Sequence, residues 1–534
     1  MFKIAAIALI AMPILSSCEK GEKPINGGEE NLITLSATSE LPDTKTSLGE
    51  SNVVNWSTGD QITTFWGNTT TQAEFTLSTG EGTTSATFTG TATEITEACY
   101  AIYPHNTATT ISSDKTISFT LPATQTYKAD GFAEGANPMV AYKTAAGKLQ
   151  FKNLCAVLKL QLKVESGTKT IKKITLTSST KKLSGAATVA MTYQSGAPAI
   201  VMATDATANN TVTLDCSAEA GGGVTLTTTA QSFYIVVPPV AAGEYSVTIE
   251  TATGVMLKTP PSSNTNNALV RAQITTMPSL DFVESTNYID NGVDYGAGTT
   301  IGSTTWAPVN CGYEPVNGSY KGYPYGKLYQ WGRKYGQGYD SNDATYPSGA
   351  DLVAGPVALT VGQDAANSAK FYMNDHNTYD WTSRNNTLWN SGSESSPTKT
   401  NYDPCPTGWR VPTKEELNSL KNANFTWKET NTDGSSPNGL AGRWFGTNSA
   451  SATAANPSGC VFFPAAGNRN TDGSAQSRYP TTLSGIPQSA SGGYQSSTPK
   501  EYEPTVFVLT FHSNNASMSN SRRAYGFSVR CVRD

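Results

Sequence analysis

The run Ala156-Val-Leu-Lys-Leu-Gln-Leu-Lys-Val164 alternates apolar and polar residues from Leu158 onward. A period of two places every second side chain on one face, so this segment has to be a half-buried strand. Strand-like runs with looser alternation recur at Ile171–Leu176, Val224–Thr228, Phe233–Val237 and Tyr245–Thr251, with turn residues between them and no long helical periodicity. Short strands at such spacing predict β-sandwiches. Residues 32–282 are too many for one small sandwich, so the expectation is two in tandem, 32–150 and 151–282, dividing near Lys148–Leu154. Pro260–Asn267 reads as a loop, and Ala268–Met277 as one more strand.

Residue usage then changes. All eleven arginines lie from Arg271 onward, and seven of the nine tryptophans from Trp306 onward. A polar, Gly-rich connector near residues 283–300 therefore begins a third domain, 283–534. Its periodicity is weak, but Thr413-Lys-Glu-Glu416 is a capping box that starts a short helix before Leu417 and Leu420. The formal net charge of -5 comes without a basic patch, which excludes nucleic acid as a partner. The eight cysteines never form a CxxC pair, so no zinc or redox motif, and no cofactor, is expected.

The amino terminus carries an address. Lys3 precedes an apolar run, Ile4–Ile14, and Leu15-Ser16-Ser17-Cys18 follows. This order of charged, apolar and small residues reads as a secretory signal, 1–18. A cysteine directly after the small residues resembles the lipobox of bacterial lipoproteins, which implies a diacylglyceryl group on Cys18, a polar linker over 19–31 and an outer-membrane lipid anchor. Glu19 and Glu22 resemble surface-export signals of Bacteroidetes lipoproteins. The seven remaining cysteines are an odd number, so at least one thiol stays unpaired.

Lys45-Thr46-Ser47-Leu48, Val54-Asn55-Trp56-Ser57-Thr58-Gly59-Asp60-Gln61-Ile62, Ala101-Ile-Tyr-Pro104 and Phe151-Lys-Asn-Leu154-Cys155-Ala156-Val157-Leu158 occur in order. This series resembles the fimbrillin-like proteins of Bacteroidetes over roughly residues 32–280. The resemblance implies two transthyretin-like sandwiches, and assembly with other fimbrial subunits by donor-strand exchange after an amino-terminal strand is lost. No arginine precedes Arg271, so an arginine-specific protease cannot release that strand; cleavage after Lys45, or none, stays open. Trp56 and Asp60 individually are expected to pack and to cap a turn.

In the third domain, Trp306-Ala-Pro-Val-Asn310-Cys-Gly-Tyr313, Tyr323–Arg333, Asp403–Thr413, Val461–Arg469, Gly493–Thr498 and Gly526–Asp534 again occur in order. They resemble the Fibrobacter major paralogous domain, which implies an α+β, C-type-lectin-like fold whose long loops bind ligand. Gln495 stands where that pattern usually has Trp, which puts the support of Tyr494 in question. The stretch 468–525 is rich in Asn, Ser, Tyr and Arg, a contact-forming composition. The ligand-contact candidates are Asn468, Tyr479, Gln495, Lys500, Tyr502, His512, Asn514 and Arg522. Cys405 and Cys531 flank the lectin-like core and can pair outside the cell, or remain two buried thiols; Cys311 and Cys460 are further candidates. Asp340-Ser-Asn-Asp343 could offer oxygen ligands to calcium but reads better as a polar turn, so no metal is assigned.

An enzyme is not expected. The histidines, His105, His376 and His512, stand beside no partner motif, and no HExxH, GxSxG or phosphate-cradling loop occurs. Formylglycine-generating relatives need a cysteine pair that Cys531 alone does not reproduce. The expectation is a fimbrial tip or cell-surface adhesin that binds a glycan or protein ligand on a host or microbial surface. The alternatives are a free-standing surface lipoprotein and a stalk subunit, which would need a donor segment that the sequence does not show.

Overall fold

The computed structural model describes residues 32–40, 43–44, 55–92, 95–96, 98–144, 147–193, 196–205, 207–315, 323–338, 347–374, 379–430, 433–476 and 491–534. Cys18, Lys45, Asp340–Asp343, His376 and Tyr479 lie outside them. The chain is mainly β. Among the described residues no helix is long and apolar enough to cross a membrane.

The first unit closes on itself. Strands Gln61–Trp66, Gln72–Thr79, Ser85–Thr91, Cys99–Tyr103, Met139–Lys143 and Leu149–Asn153 form a barrel sealed by Leu32–Ser39. That strand runs antiparallel to Ser85–Thr91 from Leu32↔Thr91 to Thr38↔Ser85, and parallel to Leu149–Asn153 from Ala37↔Leu149 to Ser39↔Phe151. Inside, the Trp56 ring meets Phe88, Tyr103 and Phe151 edge-on at 5.1–5.5 Å, and Asp60 caps its turn by accepting from Ser57 N at 2.7 Å and Tyr103 Oη at 2.8 Å. The division expected after residue 150 falls inside Leu149–Asn153, a strand that belongs to the barrel.

In the second unit Ala156–Lys163 is the central strand, paired with Gln231–Val237, Gln273–Thr276 and Leu280–Asp281. Its alternation does what the sequence requires. Leu158, Leu160 and Leu162 enter the core of this unit, while Lys159 lies over the Tyr234 ring at 5.3 Å. Val157 points the other way, into a cluster that also holds Phe65, Ile102, Val140 and Ile274, so the two units share a core. Pairing crosses between them as well, Thr116–Leu121 with Ser184–Ala190. Ile171–Leu176 is two strands in different sheets, Lys169–Ile171 and Lys173–Ser178. The strand expected over Ala268–Met277 shrinks to Gln273–Thr276, because Ala272 sits at φ 55° and breaks the extended run.

The sealing strand is held at its end by side chains from far along the sequence. The Glu40 carboxylate accepts from Arg271 at 2.7 and 3.1 Å and from Asn153 N at 2.9 Å. Arg271 also donates to Asn153 O at 2.7 Å. Burial pushes the Glu40 pKa up, but the bonds from Arg271 and Asn153 outweigh it and hold the carboxyl below its ordinary value.

The third unit is built of small sheets. One, in the order Ala475–Gln476, Asn468–Arg469, Gly526–Ser528, Gly492–Pro499, Thr505–Phe511, Ala516–Arg522, carries the long hairpin. In another, Val532–Arg533 lies between Thr304–Trp306 and Trp409–Arg410. The helix Lys414–Lys421 starts from the Thr413–Glu416 capping box and buries Leu417 and Leu420. Cys405 and Cys531 form a disulfide with Cα atoms 5.9 Å apart. The unit rests on the second: Ser246 Oγ donates to Gly292 O at 2.9 Å, and Thr407 Oγ1 donates to the Glu250 carboxylate.

Charge-assisted hydrogen bonds contribute about 1.5–3 kcal/mol each. Arg271→Ala is therefore expected to raise hydrogen exchange at residues 35–40 by roughly ten- to a hundredfold at neutral pH. A depressed folded pKa gives stabilisation that is present above the unfolded carboxyl value and lost as pH falls. Protection of this strand, corrected for intrinsic rates, should fade on acidification, and Glu40→Gln should flatten that dependence.

Candidate binding surface

Five arginines of the third unit, Arg333, Arg443, Arg469, Arg523 and Arg530, are buried to within 1% exposure. A buried guanidinium needs partners for up to five N–H donors. Here most of the acceptors are backbone carbonyls of irregular segments. Arg333 donates to Gly362 O and Asn367 O, both at 3.1 Å; Arg443 to His512 O and Asn515 O, both at 2.7 Å; Arg469 to Gly338 O and Gly473 O. Arg523 reaches Asn385 O at 3.1 Å, and Arg530 reaches Asn310 Oδ1, Ala307 O and Phe462 O at 2.7–2.9 Å. Aromatic faces cover the cations: Phe425 over Arg443 at 3.8 Å, Trp331 over Arg523 at 4.5 Å, Phe463 over Arg530 at 4.5 Å. Burial lowers the pKa of Arg333, Arg443 and Arg530 to about 10, which leaves all three charged at neutral pH. Asp380 lies 3.5 Å from Arg523, and burial pushes its carboxyl up to about 6 against the pull of that arginine.

This scaffold presents the candidates in two separate places. Lys500 and Tyr502 stand on the turn between Gly492–Pro499 and Thr505–Phe511, closed by Lys500 N donating to Thr505 O at 3.0 Å and by a Lys500–Glu503 ion pair at 2.7 Å. Tyr502, at φ 63°, is 87% exposed, so a large ring is held out into solvent by a backbone conformation unusual for it. The register Thr505↔Arg522 brings Arg522 beside this turn, where its guanidinium lies over the Tyr379 ring at 4.0 Å. Asn468 is half-buried on Asn468–Arg469, where Arg469 pairs with Gly526; its neighbour Gly467 pairs with Gly492, whose partner across the hairpin is Phe511. His512 and Asn514, both exposed, occupy the opposite turn of the hairpin. A seven-residue strand, Thr505–Phe511, separates the two turns by about 20 Å.

Gln495 does not belong to the surface. It is fully buried on a strand flanked on both sides, and its Nε2 donates inward to Tyr525 O at 3.4 Å. Tyr494, its neighbour, is supported without a tryptophan there: its hydroxyl donates to Pro464 O at 2.8 Å and accepts from Asn310 at 3.1 Å, and Phe463 packs at 4.8 Å. The sequence reading missed Tyr379, which lies far from Arg522 along the chain and outside any motif, and it missed the buried arginines as loop supports.

No family model matches the chain, and no curated protein matches it. Among solved structures it is similar to a protein of Bacteroides uniformis provisionally assigned to cell adhesion, with 14% identity, a TM-score of 0.29, and coverage of 47% of this chain and 93% of that one. It is similar to a fimbrial protein of Bacteroides ovatus at 12% identity and a TM-score of 0.25, covering 95% of this chain and 99% of that one. The tip fimbrial protein Mfa3 of Porphyromonas gingivalis is similar at 12% identity and a TM-score of 0.16, over 42% of this chain and 80% of that one.

Arg530→Met leaves three buried acceptors without their donor, at a cost of about 1–3 kcal/mol each. Urea unfolding followed by tryptophan fluorescence, which reports mainly the third unit, should show a loss of about 3 kcal/mol or more.

Proposed function

We propose that this chain is a fimbrial tip or cell-surface adhesin, exported through its amino-terminal signal and lipid-anchored at Cys18 in the outer membrane. Two transthyretin-like units carry a C-type-lectin-like third unit that binds a glycan or protein ligand. The observation that carries this reading is the turn 500–504. Tyr502 and Lys500, with Arg522 on Tyr379 beside them, form an aromatic and cationic surface on a scaffold fixed by buried arginines. Such residues dominate recognition energetics, and rigid supports reduce the entropy lost on binding. The sealing strand Leu32–Ser39 supports assembly by strand addition, because its removal would bare two strand edges of the barrel. The Glu40–Arg271 clasp favours a second reading, a free-standing surface lipoprotein that keeps its first strand.

A glycan array and a host-protein pull-down with residues 19–534 test this. Tyr502→Ala or Arg522→Ala is expected to weaken binding by roughly thirtyfold, the scale of a hot-spot truncation of about 2 kcal/mol. His512→Ala and Asn514→Ala, at the far turn, should leave it unchanged. Silence on both screens, with the protein spread along isolated fimbriae, would favour a stalk subunit instead.

A further inference from the structure

The sulfurs of Cys311, Cys405 and Cys531 all lie within 4.8 Å of one another, and all three residues are buried. Only Cys405 and Cys531 are bonded; Cys311 is a free thiol. Among the described residues this is the one place where three metal-capable or redox-capable side chains gather so closely. Cys311 is tied to both halves of its neighbouring disulfide. Its backbone N donates to Val529 O at 2.9 Å, two residues before Cys531, and its thiol donates to Pro404 O at 3.2 Å, next to Cys405. The Tyr329 hydroxyl donates to its sulfur at 3.3 Å, and Tyr288 Oη lies 3.6 Å from Cys531 Sγ. The other free cysteines, Cys99, Cys155, Cys216 and Cys460, join no such group.

We propose that Cys311 is the third member of a thiol–disulfide exchange centre, in which the bond passes from Cys311–Cys405 to Cys405–Cys531 as the segment 526–533 docks. In chain order Cys311 and Cys405 precede Cys531, so their pairing closes the shorter loop while the segment 526–533 is still unplaced. The Cys531 thiolate then attacks Cys405 Sγ. The Cys405–Cys531 bond forms, the Cys311–Cys405 bond breaks, and Cys311 leaves as a thiolate that takes up a proton. One disulfide replaces another, so this step consumes no oxidant; the first disulfide comes from a two-electron oxidant of the disulfide class. Docking gives the exchange its direction. Val532 becomes paired between Trp306 and Arg410, and Cys311 is shut away from water. Burial raises the Cys311 thiol to about 12, so the folded protein holds it protonated and unreactive toward the disulfide it touches.

The test refolds the full chain, Cys531→Ser and Cys405→Ser with glutathione disulfide and maps cross-links in non-reduced peptides by mass spectrometry. Most molecules of Cys531→Ser should carry Cys311–Cys405, and most of Cys405→Ser should carry Cys311–Cys531. Where a variant does not fold, the parent chain decides. Alkylation-quenched samples should show Cys311–Cys405 rising and falling before the native bond, and Cys311→Ser should slow native bond formation severalfold. The absence of any Cys311 cross-link in both variants and throughout the parent's time course overturns the proposal.

Discussion

The third unit depends on guanidinium groups buried against backbone carbonyls and aromatic rings. Its strands are short, so ladder hydrogen bonds cannot organise most of its chain. The arginines do that work instead, each bridging segments that no sheet joins. Arg469 links 338 to 473, Arg523 links the 380–386 loop to the hairpin, and Arg530 links 307–310 to 462. A buried cation becomes costlier with each donor left unpaired, so the loops are held where their carbonyls meet those donors. Arg443 applies this to the turn 512–515. Loop order thus follows from the electrostatics of the interior rather than from the loops' own sequences.

The same interaction explains why arginine and tryptophan become common together along the chain. The shift in usage was visible in the sequence; its cause was not, because stacking joins residues far apart in sequence, such as Arg523 with Trp331. Local features read well: the alternation of Leu158, Leu160 and Leu162, and the Thr413–Glu416 cap of Lys414–Lys421. Features set by partners did not. Ala272 breaks a run that composition alone would extend, and Leu149–Asn153 goes with the barrel because its neighbours are there. Composition also cannot tell which side of a strand faces out. Arg522 and Arg523 are adjacent, yet one lies partly exposed on Tyr379 and the other is buried, and polar Gln495 turns inward.

A related economy applies at the amino-terminal end. Leu32–Ser39 contributes only Leu35 and Ala37 as buried side chains, while the rest of the barrel core, from Trp56 to Phe151, comes from later strands. Burying one leucine contributes about 1.5–3 kcal/mol, so most of what holds this strand is its main-chain pairing and the Glu40–Arg271 clasp. Other strands of the first unit have further supports. Phe65, Ile102 and Val140 pack against the second unit, and Thr116–Leu121 pairs with Ser184–Ala190 beyond the barrel. Removing the strand therefore costs the barrel two ladders and little core. The site it leaves would require of any replacement an extended main chain, two small-to-medium apolar residues in alternate positions, and a carboxylate placed to meet Arg271.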